Sequence, residues 1–464
     1  MMPARLFLTV VIMTAAAIVP APARAQSFPP ATTLRGVPPV TTPTAPIQLS
    51  LTDAVSRGLQ HNLGVILEEQ RLTATRSARL SALAEVLPHV SASVGQSQQT
   101  LSTAAFGFTF PGLPTVIGPF GVFDSRIAVS APIVDARAIG GVRAVKAEIR
   151  AGEADFKDIR ETVVLAVGNL YLQAEADAAR VESSKAQIAT AEALVRLAED
   201  QKGAGLVAGI DVVRQQVQLQ SARARLIVAQ NAFEKRKLSL ARAIGLAAGQ
   251  EFSLSDNTTF TPAPPMTIDE AVSVAGANRE DLKAAQARVD AARATRSAES
   301  AGHLPSLHLD ADIGAIGPRA SDLERTYSVA AVVRVPVFDG GATRAKVQRA
   351  DTEVHSREAE LADLQNGIRF DVQAALLDVN AAAAGVAVAD SARTLARQEL
   401  DQAQDRFRAG VANTLELALA QESVATASEQ YIASVYAHAV AKATLARALG
   451  QVERRFVEFV GGKQ

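Results

Sequence analysis

Six histidines, at 61, 89, 303, 308, 355 and 438, are the first place to look for catalysis or metal binding, and none sits in a ligand pattern. There is no His-Glu-x-x-His, and His303 and His308 are five apart around a proline, which turns them to different faces of a strand. The Gly-Gly pairs at 140–141 and 340–341 lack the spacing and following lysine of a phosphate loop, and no Gly-x-Ser-x-Gly elbow occurs. Cysteine is absent, so disulfides, thiolate metal sites and a lipidated N-terminal cysteine are all excluded. Acid pairs such as Glu68-Glu69 and Glu360/Asp363 read as solvated helix faces. The chain is therefore expected to be no enzyme and to carry no cofactor and no metal. One motif does recur. "KGAGLVAGIDVV" (202–213) and "FRAGVANTLELA" (407–418) each break a long helical pattern with an Ala-Gly-apolar turn, and each places an acid, Asp211 or Glu416, six residues past the glycine. At Asp211 one reading is a helix-start carboxylate beside the macrodipole.

The two turns lie about 205 residues apart because most of the chain is duplicated. "LTDAVSRGLQHN" (51–62) answers to "IDEAVSVAGANR" (268–279), Leu87-Pro88 to Leu304-Pro305, "SAPIVDA" (130–136) to "RVPVFDG" (334–340), and "LARAIG" (240–245) to "LARALG" (445–450). The first copy spans 49–254, with strands about 89–132. A linker covers 255–266. The second copy spans 267–455, with strands about 306–337, and 456–464 form a C-terminal tail. Residues 51–87 and 268–303 read as helices ended by Pro88 and Pro305. Alternating runs of about ten residues follow in pairs, the length with which a tilted strand crosses a bilayer. From Gly141 to about Gln201, and from Gly341 to about Arg408, the pattern is helical without proline, on the order of 90–100 Å in each case. Val167, Ala174, Val181, Ile188 and Val195 keep a seven-residue spacing, and so do Val372, Val379, Val386, Arg393 and Leu400, apolar except at Arg393. A neighbouring track is Ala375, Ala382, Ala389, Ala396 and Ala403. Sustained heptads with small residues imply close coiled-coil packing. Return helices run from about Ile210 to Gly245 and from about Leu415 to Gly450, and the shorter leading helices are expected to stack on their ends.

The bulk numbers agree with that reading. A formal net charge of −1 over 464 residues, 48% of them hydrophobic, gives no basic stripe for nucleic acid and ample material for a core. The N-terminus, "MMPARLFLTVVIMTAAAIVPAPARA", reads as a signal peptide over 1–25, cut after Ala25, rather than an uncleaved anchor. Residues 26–48, rich in Pro and Thr, read as an extended tether. No later segment reads as an uninterrupted apolar run of membrane-spanning length. Four strands cannot close a barrel, and open strand edges are not tolerated in lipid, so several chains must share one barrel. Three chains supply twelve strands. Between the first pair of strands, Phe106, Phe108, Phe110, Phe120 and Phe123 form either an interfacial girdle or a narrowing of the mouth.

At residues 49–455 the chain resembles the TolC family of outer-membrane efflux proteins. "GLVAGIDV" (205–212) is similar to the family's turn between long and return helix, and "PVFDGGATRAKVQRA" (336–350) to its strand-to-helix junction; the duplication, the signal and "ARALG" agree. The resemblance implies an α+β membrane protein: a homotrimer with a twelve-stranded β-barrel in outer-membrane lipid, continued by a periplasmic α-helical tunnel in a Gram-negative bacterium. It implies a passive exit duct, opened by a periplasmic adaptor and an inner-membrane transporter. Ala204, Gly205, Leu206 and Val207, with Ala409, Gly410, Val411 and Ala412, match the adaptor-docking turns. Glu416 matches an acid at the narrow periplasmic entrance, with Asp211 in the equivalent place of the first copy. Leu419 stands where some relatives carry a second acid. In the first junction Ala136-Arg137 replaces the Gly340-Gly341 pair. An exported coiled-coil scaffold explains the heptads but not the strands, and an exported hydrolase lacks a site.

Overall fold

The computed structural model describes residues 33–38, 46–103, 114–256 and 259–460. The signal segment, most of the tether, and Phe106, Phe108 and Phe110 lie outside those residues. Each repeat builds a pair of strands, a long helix and a return helix. The first holds β1 (Ile47–Leu49), α1 (Leu51–His61), α2 (Leu63–Ala84), β2 (His89–Ser102), β3 (Val116–Val134), α3 (Ala136–Gly203) and α4 (Gly209–Ala243). After β4 (Phe252–Leu254), the second holds α5 (Ile268–Asn278), α6 (Glu280–Ser300), β5 (Ser306–Gly317), β6 (Glu324–Arg334), α7 (Ala342–Arg408) and α8 (Thr414–Ala448), and α9 (Val452–Val460) follows.

The heptads become the seams of the long helices. With 68 and 67 residues, α3 and α7 are each about 100 Å long. Val167, Ala174, Val181 and Val195 are buried on α3, as are Val372, Val379, Val386 and Leu400 on α7. The alanine track at 375, 389, 396 and 403 is buried with them, which lets α8 approach α7 closely. One 18-residue window of α7 is apolar enough by composition to cross a bilayer, at mean hydropathy 1.6. Its buried residues belong to the seam, whereas Leu377 and Val388 face outward.

The leading helices are not continuous, contrary to the sequence expectation. Each is interrupted by one extended residue, Asn62 (ψ 131°) and Arg279 (ψ 120°). Asn62 caps α2 through the amide of Gly64 at 2.9 Å and donates from Nδ2 to the carbonyls of Thr33 and Ala243, which ties α2 to the end of α4. Arg279 has no capping side chain; its guanidinium instead binds Asp281 and Asp371. Gly450, at φ +67°, lies so close to the backbone of Arg279 that a Cβ there would meet its nitrogen at 2.6 Å. The stacking of short helices on return helices is thus real, and these kinks achieve it.

A central core gathers around Val163, Val164, Val167 and Tyr171 of α3 and Ile368 and Val372 of α7. Two short parallel strands, β1 and β4, close it from the repeat ends, with the Tyr171 hydroxyl donating to the Leu49 carbonyl at 2.9 Å. Residues from 456 to 460, expected as tail, belong to α9. Phe456 and Phe459 are buried, and the Phe456 ring rests directly on Gly168. Of the expected tether, residues 33–38 are pinned to the body: Gly36 donates to the Arg242 carbonyl and Val37 to that of His61.

Candidate functional site

Two regions stand out, one at each end of the long helices. At one end β2, β3, β5 and β6 form a single antiparallel sheet in that order. Its register sorts most side chains into an apolar and a polar face. Val90, Val94, Ile127, Ile313, Tyr327, Val329 and Val333 share one face, and all are exposed. Ser91, Ser93, Asp124, Arg126, Ser130, Asp310, Asp312, Thr326 and Ser328 share the other. On that polar face Arg126 bonds both Asp124 and Asp312, and Ser130 donates to Asp310 at 2.6 Å. A soluble sheet would bury its apolar face; here it is left bare, and the strand edges of β2 and β6 have no partner among the described residues. Phe120 falls on the polar face beside Gln99, and Phe123 on the apolar one beside Gln96.

The sheet joins the helices at two acids. Asp135 caps α3 by accepting from the Ala138 amide at 2.9 Å. Asp339 accepts from the amides of Gly341 (3.0 Å) and Thr343 (2.7 Å). The Thr343 hydroxyl, then these amides, hold its carboxyl down to about 2. The junctions differ as their sequences do. β3 runs into α3 through Asp135 alone, whereas β6 stops at Arg334 and the chain needs two left-handed residues, Gly340 (φ +65°) and Gly341 (φ +89°), before α7 starts.

At the far end the two turns have the same geometry. Gly205 has φ +75° and Gly410 φ +73°, and in both the helix closes with the same pair of backbone bonds. Gly205 donates to Lys202 and Leu206 to Gln201, just as Gly410 donates to Phe407 and Val411 to Arg406. This is the Schellman arrangement, which requires a left-handed residue and so selects glycine. A Cβ at either glycine would meet nothing within 4 Å. The glycines serve the backbone; they do not relieve a crowded side chain. Ala204, Leu206, Ala409 and Val411 project outward, Leu206 and Val411 each 67% exposed. Val207 and Ala412 turn back against the tip core of Leu194, Ala198, Val212, Phe407 and Leu417.

The acids six residues on take different surroundings. Asp211 accepts from its own turn at the Ala208 amide (3.2 Å), from Arg214, and from the hydroxyl of Thr414, a buried residue of the other turn. It is a capping acid and a tie between the tips. Glu416 receives Arg406 Nε at 2.9 Å, and its amide is capped by Asn413 at 3.0 Å. Leu419 lies one turn further, 60% exposed. Sequence reading missed Arg406, Thr414 and Gln201, whose Nε2 donates to the Phe407 carbonyl at 3.0 Å across the tips. Arg406 sits 205 residues after Gln201, so the repeat itself marked the place but not the change of charge.

This combination of an apolar-faced sheet, 100 Å helices and paired tips has known counterparts. The chain is 25% identical over 391 residues to the pyoverdine export outer membrane protein OpmQ of Pseudomonas aeruginosa, covering 81% of this chain and 80% of that protein. It is 22% identical over 326 residues to the outer membrane protein TolC of Vibrio cholerae, covering 67% and 73%. In fold it matches the outer membrane protein VceC of Vibrio cholerae at a TM-score of 0.74 and 19% identity, over 86% of this chain and 96% of that one. Residues 55–246 and 271–451 match the family described as outer membrane efflux protein, whose members are channels and not enzymes. The matched segments follow the two repeats, and the chain belongs to the outer membrane efflux protein family.

Proposed function

We propose that this chain is the outer-membrane exit duct of a tripartite export system. Three copies close a twelve-stranded barrel in outer-membrane lipid and continue it as a helical tunnel across the periplasm of a Gram-negative bacterium. The observation that carries this reading is the four-stranded sheet with one bare apolar face and two open edges. Lipid accepts such a face, but only a closed ring accepts the edges. The outward Leu377 and Val388 of α7 supply apolar contact for neighbouring copies. The duct is passive, and the signal over residues 1–25 directs it to export.

The tips are the docking surface for a periplasmic adaptor that connects to an inner-membrane transporter. Ala204, Gly205 and Leu206, with Ala409, Gly410 and Val411, offer close approach, while Val207 and Ala412 hold the turns in place from within. Glu416 lines the entrance as one half of a Glu416–Arg406 pair, so the ring at that level is close to neutral, and Leu419 forms an apolar step beside it. Asp211 acts by locking the two tips together. Photocrosslinking in the native cell from probes at Leu206 and Val411, with captured proteins identified by mass spectrometry, tests the docking. Capture of an adaptor supports it; capture of nothing but copies of this chain removes docking from the turns.

A further inference from the structure

The second heptad seam contains one residue that does not belong there. Arg393 occupies the position that Ile188 fills in the first repeat, and Tyr431 the position of Leu226. In the first repeat this level of the seam is closed by Ile188 packed on Ala191, Val195 and Leu219. Beside Arg393, a cavity of about 440 Å³ opens among α3, α4, α7 and α8, between the two repeats. Arginine is a costly residue for a seam, and the duplication shows that an aliphatic side chain serves there.

The chemistry of the lining is specific. Arg225, Arg393 and Arg397 border the cavity together with Gln187, Gln218 and Gln421, and no carboxylate is among the lining residues. Each guanidinium has five donors. Arg393 gives one bond to Asp390 (2.6 Å) and stacks on the Tyr431 ring at 3.5 Å. Arg225 gives one to Glu422 at 3.1 Å. Arg397 has no ion pair or hydrogen bond among the described residues. Four polar atoms of these side chains are closed off from solvent with no partner: Nε of Arg225 and Arg393, and Oε1 of Gln187 and Gln421. Ser183, Thr190 and Ser428 add hydroxyls, and the remaining wall is apolar, from Ala179, Ala186, Ala222, Val424, Leu400 and Ile432. A mostly apolar pocket of this size with a few convergent polar groups has the make-up of a small-molecule site. Asp390 and Glu422 each occupy one guanidinium donor from outside the lining, and the donors left over, those of Arg397 included, suit an anion.

We propose that this cavity is a binding site for small amphipathic organic anions, with the acid group on the Arg393 and Arg397 guanidiniums and the apolar body against the aliphatic wall. The site is built from one chain, so it stands apart from the tips and from the barrel. The test uses the purified full chain and a matched pair of probes, 2-naphthoate and its neutral counterpart 2-naphthamide, followed by calorimetric titration. Naphthoate is expected to bind saturably, one per chain, and at least ~10-fold more tightly than the amide, since a charge-assisted bond is worth about 1.5–3 kcal/mol. Arg393→Ile, which restores the first repeat's seam, is expected to weaken naphthoate at least ~10-fold while the melting temperature holds or rises. Arg397→Ala, at an exposed and unpaired side chain, is expected to weaken it without a change in melting. Equal affinity for acid and amide, wild-type affinity in Arg393→Ile, or no binding by the folded native chain would each overturn the proposal and leave a water-filled gap.

Discussion

The left-handed glycines at the tips allow backbone cost and surface role to be separated. At φ +73° an alanine at Gly410 costs about 1–2 kcal/mol. No steric term adds to this, because the new Cβ meets nothing within 4 Å. The two Schellman bonds and the inward Val207, Ala412, Leu417 and Phe407 are untouched, so the turn keeps its course. Gly410→Leu carries the same backbone cost and puts its bulk entirely outward. Both variants should therefore fold, with melting lowered by only a few degrees for a change of about 1–2 kcal/mol. Their effect on docking should diverge. Capture of the adaptor from a photoprobe at Leu206 should fall modestly in Gly410→Ala and at least ~10-fold in Gly410→Leu. If Gly410→Leu is folded and captures the adaptor like the native chain, then close approach at the turn is not what the glycine provides, and the reasoning fails. If Gly410→Ala instead collapses the fold, the strain has been underestimated.

Two further expectations concern the central core. Glu161 is buried beside Arg447, whose Nη1 donates to it at 2.9 Å. Burial outweighs the attraction of Arg447 and pushes the carboxyl up to about 7. A carboxyl raised above its unfolded value of 4.5 favours the protonated folded state, so its contribution is complete below pH 4.5 and is lost as pH rises through 7. Glu161→Gln should flatten the stability difference between pH 5 and pH 8 by an amount on the order of 1–3 kcal/mol, read by denaturant titration; an unchanged slope would place the titration elsewhere. At Gly168 an added Cβ would sit 2.0 Å from the Phe456 ring. Gly168→Val should cost at least about 1–3 kcal/mol through overpacking, and Phe456→Leu should recover part of it; a neutral Gly168→Val would mean that α9 is not seated as described.

Much of this architecture was legible because duplication and heptads are long-range patterns that no local preference disguises. Val167 to Val195 and Val372 to Leu400 announced the seams, and Gly205 and Gly410 announced their ends, since a helix reversal of this kind needs a left-handed residue. The breaks at Asn62 and Arg279 were not legible as such. Asn62 is a good capping residue and could have been found, but nothing in an arginine signals an extended kink, and Arg279 is held by Asp281 and Asp371 through the fold. β1 and β4 have three residues each and pair across 205 positions, too short for any alternation to show. α9 was hidden behind the "LARALG" ending, because Phe456 has its place only where Gly168 leaves room. The different roles of Asp211 and Glu416 arise from tertiary partners that their spacing does not reveal. Similar spacing gave one acid a hydroxyl from the opposite turn and the other an arginine of its own hairpin.

The central claim is that the open edges of β2 and β6 meet between chains to close a ring of three. The chain has no cysteine, which makes a direct test clean. Ser93→Cys on β2 and Ser328→Cys on β6 place thiols on the polar face of the two edge strands. Treated with a short bis-maleimide in the membrane, the double variant should run on a denaturing gel as a ladder ending at three chains, and each single variant should stay mostly as one. A double variant that stays monomeric, stops at two chains or extends past three would contradict a closed twelve-stranded barrel.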